Sequence, residues 1–383
     1  MLVDFDGEIL LPKGNVEDFA VIACDQFTSQ PEYWTELERR LKSGSALDFV
    51  LPECFLDRAD ELISKIRAAN ARIDDRFYSV RGAVAVTRTT AYGRTRKGVV
   101  ASIDLDAYEF TPGNSALIRA SERTVKERIP PRVAIREALD IELPHVLLLV
   151  DDRFGLLSSA VERAKKRALY DGELCGRGGH IKGELIENSE DLYAAVDGII
   201  RDSARFGSPL FALVGDGNHS LATAKYCRDA CPTKSNGRAL VEIINVYDDG
   251  LVCEPIHRLV KVDDTQSFVS AFRKEVCCDG DAAETVIYTP SPVTVRLPAD
   301  KVAAIKAVDA FCENYVKKNG GYVDYVHGES GLKRDGFCGI MLHSVKKSEL
   351  FDYVIANGVL PKKTFSLGEA EEKRFYIEAR KIK

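Results

Sequence analysis

Apolar and polar residues along this chain change period repeatedly, between the two-residue alternation of half-buried strands and the broader stripe of helices. Residues 20–23 form a short apolar run, and Thr28 to Pro31 then opens a helix carried by the amphipathic stretch 32–41. Trp34, the only tryptophan, falls on it as a packing anchor, and a second helix is expected over 56–71. Alternation over 77–88 and 98–105 predicts two antiparallel strands. A Gly/Arg-rich turn at 92–97 would join them, with Arg94, Arg96 and Lys97 on a solvated tip. Residues 145–150 read as a buried strand ending in Asp151-Asp152, 162–170 as a helix, 172–183 as a glycine-rich loop holding Arg177, His180 and Lys182, and 191–205 as a helix. An apolar strand at 210–214 and a helix at 221–228 follow. The stretch 239–246 reads as a buried strand, Asp248-Asp249-Gly250 as a turn, and 251–254 as the next strand. Beyond Val262 come a helix, a strand at 294–297, a helix at 301–316 and short alternating strands. This mixture predicts an α+β fold with a mixed sheet, divided into regions 1–144, 145–262 and 263–383.

Chemistry concentrates between the strand at 210–214 and the helix at 221–228, where Asp216-Gly217-Asn218-His219-Ser220 stands. Glycine allows a tight turn there, and a helix start presents N–H groups that favour phosphate or carboxylate. Asp216, Asn218, His219 and Ser220 add a carboxylate, an amide, an imidazole and a hydroxyl. The same residues also make an ordinary Asp-Gly turn with a polar cap, so both readings stand at this point. A second combination, His257-Arg258, is expected beside a strand end, where a guanidinium would suit an anion. Asp151, at the end of its own strand, is in a usual position for Mg²⁺, and Asp151-Asp152 equally starts an ordinary turn. Five arginines between 119 and 136, among them Arg119 and Arg128, form either a solvated face or a phosphate-facing cluster.

Composition narrows the classes. With 383 residues and 45% apolar content the chain can bury a large core, and a net charge of −6 with pI near 5.7 argues against a nucleic-acid binder. The opening Met1-Leu2-Val3-Asp4-Phe5-Asp6 is acidic where a secretory signal is basic, and no apolar run reaches membrane-spanning length. A cytoplasmic location is expected. The ten cysteines fit free thiols better than a disulfide framework. The Cys227 and Cys231 pair has no second pair at zinc-site spacing. The glycines of 172–183 match neither a Walker loop nor a dinucleotide fingerprint.

Several segments taken together resemble a known family. Val21-Ile22-Ala23-Cys24-Asp25-Gln26, Arg119-Ala120-Ser121-Glu122-x-Thr124, Gly215 to Ser220, Pro255-Ile256-His257-Arg258 and the stretch from Pro361 to Phe375 look like the domain-of-unknown-function family 1015. That family has no established activity. Its central motif, commonly D-G-H-H-R, is similar to the strand-turn-helix motif of the ParB and sulfiredoxin superfamily, one branch of which contains ADP-dependent free serine kinases. The resemblance implies a ParB/sulfiredoxin-like core and phosphate binding at Asp216, Gly217 and His219. It also implies a serine or phosphoserine substrate, because family members are often encoded beside enzymes of the phosphorylated serine pathway. This chain departs from the common motif at Asn218 and Ser220, so the arginine expected at 220 is missing. Arg258 or Arg119 would have to supply its charge.

The function expected is therefore a phosphotransferase or phosphohydrolase of a small phosphorylated metabolite, with Mg²⁺ and ADP or ATP as cofactors. His219 would be acid or base, Asp216 or Glu122 base or metal ligand together with Asp151, and His257 a further catalytic group. The phosphate-binding set would be Gly217, Asn218, Ser220, Arg119, His180 and Arg258. The competing expectation is a nucleotide-binding regulator without turnover. A redox role like that of sulfiredoxin would need a cysteine at 216–220, and none is there.

Overall fold

The computed structural model describes residues 1–28, 30–41, 43–124, 127 and 129–383. They fall into two compact units, Met1–Leu251 with Ala370–Lys383, and Val252–Glu369.

The first unit is built on a ten-stranded mixed sheet. Its strands are β1 (Val3–Asp4), β2 (Val84–Thr89), β3 (Thr95–Asp104), β4 (Tyr108–Glu109), β5 (Ile118–Ala120), β6 (Leu147–Val150), β7 (Lys166–Leu174), β8 (Gly179–Ile186), β9 (Ala212–Asp216) and β10 (Arg238–Asn245). The order is β7-β8-β2-β3-β10-β6-β9-β5-β4, with β1 on β3. Parallel pairing joins β6 to β10, β9 to β5 and β5 to β4. Leu147 to Val150 are fully buried, as expected of a central strand covered on both faces. One face packs Val99, Ala101, Val241, Ile243 and Val214 against Leu157, Leu192 and Val196 of the helices Leu156–Arg163 and Glu190–Asp202. The other packs Val84, Val86, Val100 and Leu240 against Ile9, Trp34, Leu37, Phe49 and Phe375. Trp34 lies buried in the helix Pro31–Arg40 and donates its indole N–H to Gln26 O at 3.1 Å. The C-terminal segment is stitched in twice: Phe375–Tyr376 pairs with Val21–Ile22, and Arg380–Lys381 with Ile141–Glu142.

Three expectations change here. The helix expected over 162–170 is Leu156–Arg163, and the chain passes directly into β7. The expected glycine-rich loop is the hairpin β7–β8, where Gly178, Gly179 and Gly183 make room for neighbours: a Cβ on Gly183 would stand 2.1 Å from the Tyr170 ring. The hairpin turn between β2 and β3 lies at Thr90 to Arg94, closed by Thr90 N to Arg94 O at 2.8 Å. Lys97 is paired with Glu162, and Arg96 is not on a solvated tip but 4% exposed within β3. The start of the first long helix includes Ser29, which is outside the described residues.

The second unit carries a six-stranded sheet of β11 (Cys253–Lys261), β12 (Ala282–Tyr288), β13 (Val293–Pro298), β14 (Tyr322–His327), β15 (Phe337–Ile340) and β16 (Phe365–Leu367). Helices Thr265–Glu275 and Lys301–Asn319 bury Phe268, Phe272 and Phe311 in an edge-to-face cluster. The strand expected to stop at 254 continues as β11 to Lys261, so His257 and Arg258 are mid-strand. Among the described residues no helix is long and apolar enough to cross a membrane.

Candidate active site at the Asp216 to Ser220 turn

β9 and β5 run parallel, with Ala212 opposite Ile118 and Val214 opposite Ala120, so their carboxyl ends emerge side by side. One carries Gly215 to Ser220 and the other Ser121-Glu122. Ser121 is fully buried and donates Oγ–H to Val214 O at 2.5 Å, fixing the two ends to each other. β6 runs antiparallel to β9 and places Leu147 opposite Asp216, which brings His145 and Val146 to the same edge. The crevice beyond the carboxyl ends of parallel strands is where open α/β sheets take ligands.

The motif is the turn itself. Gly217 adopts φ 80°, and a Cβ there would stand 3.0 Å from Val146 Cα, so glycine is required on both counts. The helix starts at Asn218 and runs to Ala230, earlier than the expected 221, with Leu221 N bonded to Gly217 O at 3.0 Å. Asp216 Oδ1 accepts from Gly217 N at 2.9 Å, and Oδ2 lies 3.2 Å from Lys373 Nζ. Asn218 Oδ1 is buried without a hydrogen-bond partner among the described residues. His219 is half-buried, its carbonyl accepting from Thr223 Oγ1 at 2.7 Å.

Lys373 is delivered by a buried polar strap. Arg88, 1% exposed, donates to the carbonyls of Gly178, Glu371, Glu372 and Lys373, and its guanidinium stacks 4.9 Å from the Phe375 ring. Arg96 donates to Glu372 O at 2.9 Å, and the Glu372 carboxylate accepts from Thr90 and Arg94, each at 2.9 Å. Arg374 bonds Glu242 and Glu378 and donates to Pro144 O at 3.2 Å. Burial pushes the Glu242 carboxyl up, but Arg374 and Arg96 beside it win and hold it below the usual carboxylate range. Gly98 makes room for it, since a Cβ would stand 2.5 Å from Glu242 Oε1. Further along the strap, the Tyr376 hydroxyl lies 2.8 Å from His145 Nδ1 and accepts from Cys24 N at 3.1 Å.

A family model described as "Protein of unknown function (DUF1015)" matches residues 8–324. The chain belongs to this family. No curated protein matches the chain. Among solved structures, a conserved hypothetical protein from Pyrococcus furiosus is 12% identical, covering 73% of this chain and 90% of that one with TM-score 0.37. A free serine kinase in complex with AMP is 14% identical, covering 74% and 91% with TM-score 0.39. SbnI with a C-terminal truncation, from Staphylococcus aureus, is 9% identical, covering 73% and 82% with TM-score 0.39. At these scores the functional reading rests on this family member's own residues.

Of the expected site residues, the fold gathers Asp216, Gly217, Asn218, His219, Ser220 and, on the neighbouring strand end, Glu122. Arg119 is turned toward the amino ends of β5 and β9, donating to Ala116 O at 2.8 Å, Ser208 Oγ at 2.6 Å and Pro209 O at 3.0 Å. Asp151 is paired with Arg205 at 2.5 Å. Because Leu147 of β6 stands opposite Asp216 of β9, Asp151 and Asp216 lie at opposite ends of this strand pair, roughly 13 Å apart along the strands. His180 pairs with Asp171 at 2.8 Å on the β7–β8 hairpin. His257 and Arg258 belong to the second unit. There Arg258 is fully buried on Asp309 (2.6 and 3.0 Å), Ile256 O and Lys363 O, and His257 Nδ1 accepts from Leu342 N at 3.1 Å. In the arginine stretch, Arg132 and Arg136 pair with Glu53 and Glu142, and Arg128 is outside the described residues. Sequence reasoning missed Lys373, His145 and Tyr376. The available signal was the apolar run Phe375-Tyr376-Ile377 directly after the charged Glu371 to Arg374.

Proposed function

We propose that the Asp216 to Ser220 turn binds the phosphate of a small metabolite and that the protein is a phosphotransferase or phosphohydrolase, with serine or phosphoserine and ADP or ATP as favoured reactants. The observation that carries this reading is the ion pair of Lys373 with Asp216 at 3.2 Å, at a helix start and beside the carboxyl ends of two parallel strands. It brings an ammonium to the motif through Asp216, in a chain whose motif lacks the arginine the family commonly has at its last position. Phosphoryl transfer needs charge neutralisation and positioning above all. Lys373 and the helix start supply the first. Gly217, Asn218 and Ser220 shape the cradle, His219 exchanges the proton of the attacking or leaving oxygen, and Asp216 or Glu122 serves as base.

Among the described residues no group of three or more His, Cys, Asp and Glu could hold a metal ion, and Lys373 occupies Asp216. These residues do not make a magnesium cage, so no step is assigned to the metal. A thermal-shift screen tests the reading, crossing ADP and ATP with serine and phosphoserine, with and without Mg²⁺. A true ligand stabilises by roughly 2.7 kcal/mol at a hundredfold excess over its dissociation constant. Stabilisation by a nucleotide with no phosphate exchange would favour a nucleotide-binding regulator, and no stabilisation by any phosphate compound would remove the reading.

A further inference from the structure

His145 is a buried imidazole with one nitrogen fixed and the other uncommitted. The Tyr376 hydroxyl accepts a hydrogen bond from Cys24 N at 3.1 Å, so its own proton is free to go elsewhere. Two acceptors are in reach. Burial, with Asp25 and Glu53 adding to it, pushes the Cys24 thiol far above its usual range, so it remains a protonated thiol and a weak acceptor. The stronger acceptor is His145 Nδ1 at 2.8 Å. A neutral imidazole that accepts at Nδ1 carries its proton on Nε2.

Nε2 has no hydrogen-bond partner among the described residues, although the side chain is 8% exposed. Cδ2, the ring carbon bonded to Nε2, lies 3.4 Å from where a Cβ on Gly217 would stand. The ring therefore packs against Gly217 on its Cδ2 side, one bond away from Nε2. Asn218 Oδ1, at the same turn, is the other polar atom left without a partner. Asn218 Oδ1 is buried and unsatisfied, while His145 Nε2 is engaged by no protein atom among the described residues and is open to solvent, so each can be completed by something that is not protein.

We infer that His145 is a second imidazole of this site, held by Tyr376 as an Nε2–H donor to an oxyanion bound at the turn. The inference rests on reading the turn as a phosphate site, and it assigns His145 to binding the charged oxygens, beside the proton exchange proposed for His219. A neutral donor suits that task because it gains a charge-assisted bond without adding a second cation next to Lys373.

The test uses the full chain labelled with ¹⁵N only in its six histidines, read by long-range ¹H–¹⁵N correlation at neutral pH. His145 is expected as the Nε2–H tautomer, and its Nε2 resonance should move on titration with inorganic phosphate or AMP. Two variants separate donation from packing. His145→Gln keeps an N–H near the Nε2 position and should hold phosphate or AMP within about threefold of the parent. His145→Leu should lose roughly tenfold or more at a similar melting temperature. An Nδ1–H tautomer in the parent overturns the inference. So does a parent that binds phosphate or AMP with an unmoved His145 resonance, and in that case the phosphate site itself survives. A parent that binds neither phosphate, AMP, ADP nor ATP overturns both.

Discussion

Lys373 Nζ stands 3.2 Å from Asp216 Oδ2, so the cation at the turn comes from a strap far along the chain rather than from the motif. Both side chains are largely buried, which keeps their attraction from being screened away as a surface pair would be. Lys373→Met should weaken phosphate or nucleotide binding by roughly tenfold or more, with Lys373→Arg retaining most of it. Isothermal titration with ADP checks this, and equal affinities in all three proteins would count against a role for Lys373.

The strap should also hold the first unit together. Arg374 bridges Glu242 and Glu378, all three almost inaccessible to solvent. Replacing it with Met leaves the buried Glu378 without its cation and Glu242 with only the more distant Arg96, a loss of about 3–5 kcal/mol. Urea unfolding measures it. The pH sign follows from Glu242, whose carboxyl lies below the usual range in the folded state despite burial, because of Arg374 and Arg96. Its contribution is complete above the pKa of an unfolded glutamate, near 4.3, and is lost as pH falls through the lower folded value. The parent should therefore lose stability at acid pH.

The turn itself was legible in the amino-acid order, and what escaped has a common physical cause. The turn at Asp216 announced itself because an apolar strand, glycines and a helix start are local signals. The buried cations did not. Arg96 sits in an alternating strand and reads as solvent-facing until Glu242 and the Glu372 carbonyl are seen to meet it. Lys373 and Arg374 belong to a charge run that resembles any exposed segment. Burial of a charge depends on a partner brought in by tertiary structure, and no local pattern encodes that partner. Tyr170 and Gly183 illustrate the same point in the opposite direction. Gly183, which suggested a loop, is there because the Tyr170 ring from the adjacent strand fills its space.

Gly217→Ala tests the geometry of the turn. The left-handed φ of 80° costs an L-residue about 1–2 kcal/mol, and the added methyl meets Val146 backbone at 3.0 Å. A melting temperature lowered by several degrees, with phosphate binding reduced more than stability alone explains, is the expected result of thermal and titration measurements on the variant.

His257 should prove silent near neutral pH. Burial, followed by Arg258 beside it, pushes its imidazole down to about 4, against an ordinary value near 6.5 in the unfolded chain. The folded state resists protonation, so stability from this residue is full above about 6.5 and declines as pH falls toward about 4. Histidine NMR titration would show it neutral at pH 6, and a midpoint near 7 would contradict the burial seen here.

The most direct measurement is phosphate exchange between a nucleotide and serine, followed by ³¹P NMR for the parent and His219→Asn at matched folded concentration. Asn preserves much of the local hydrogen bonding but cannot take or give a proton near neutral pH. The expected result is exchange by the parent and a loss of roughly a hundredfold or more in the variant at nearly the same melting temperature. A variant that melts many degrees lower while its folded fraction exchanges phosphate as fast as the parent would make His219 structural and place the chemistry elsewhere.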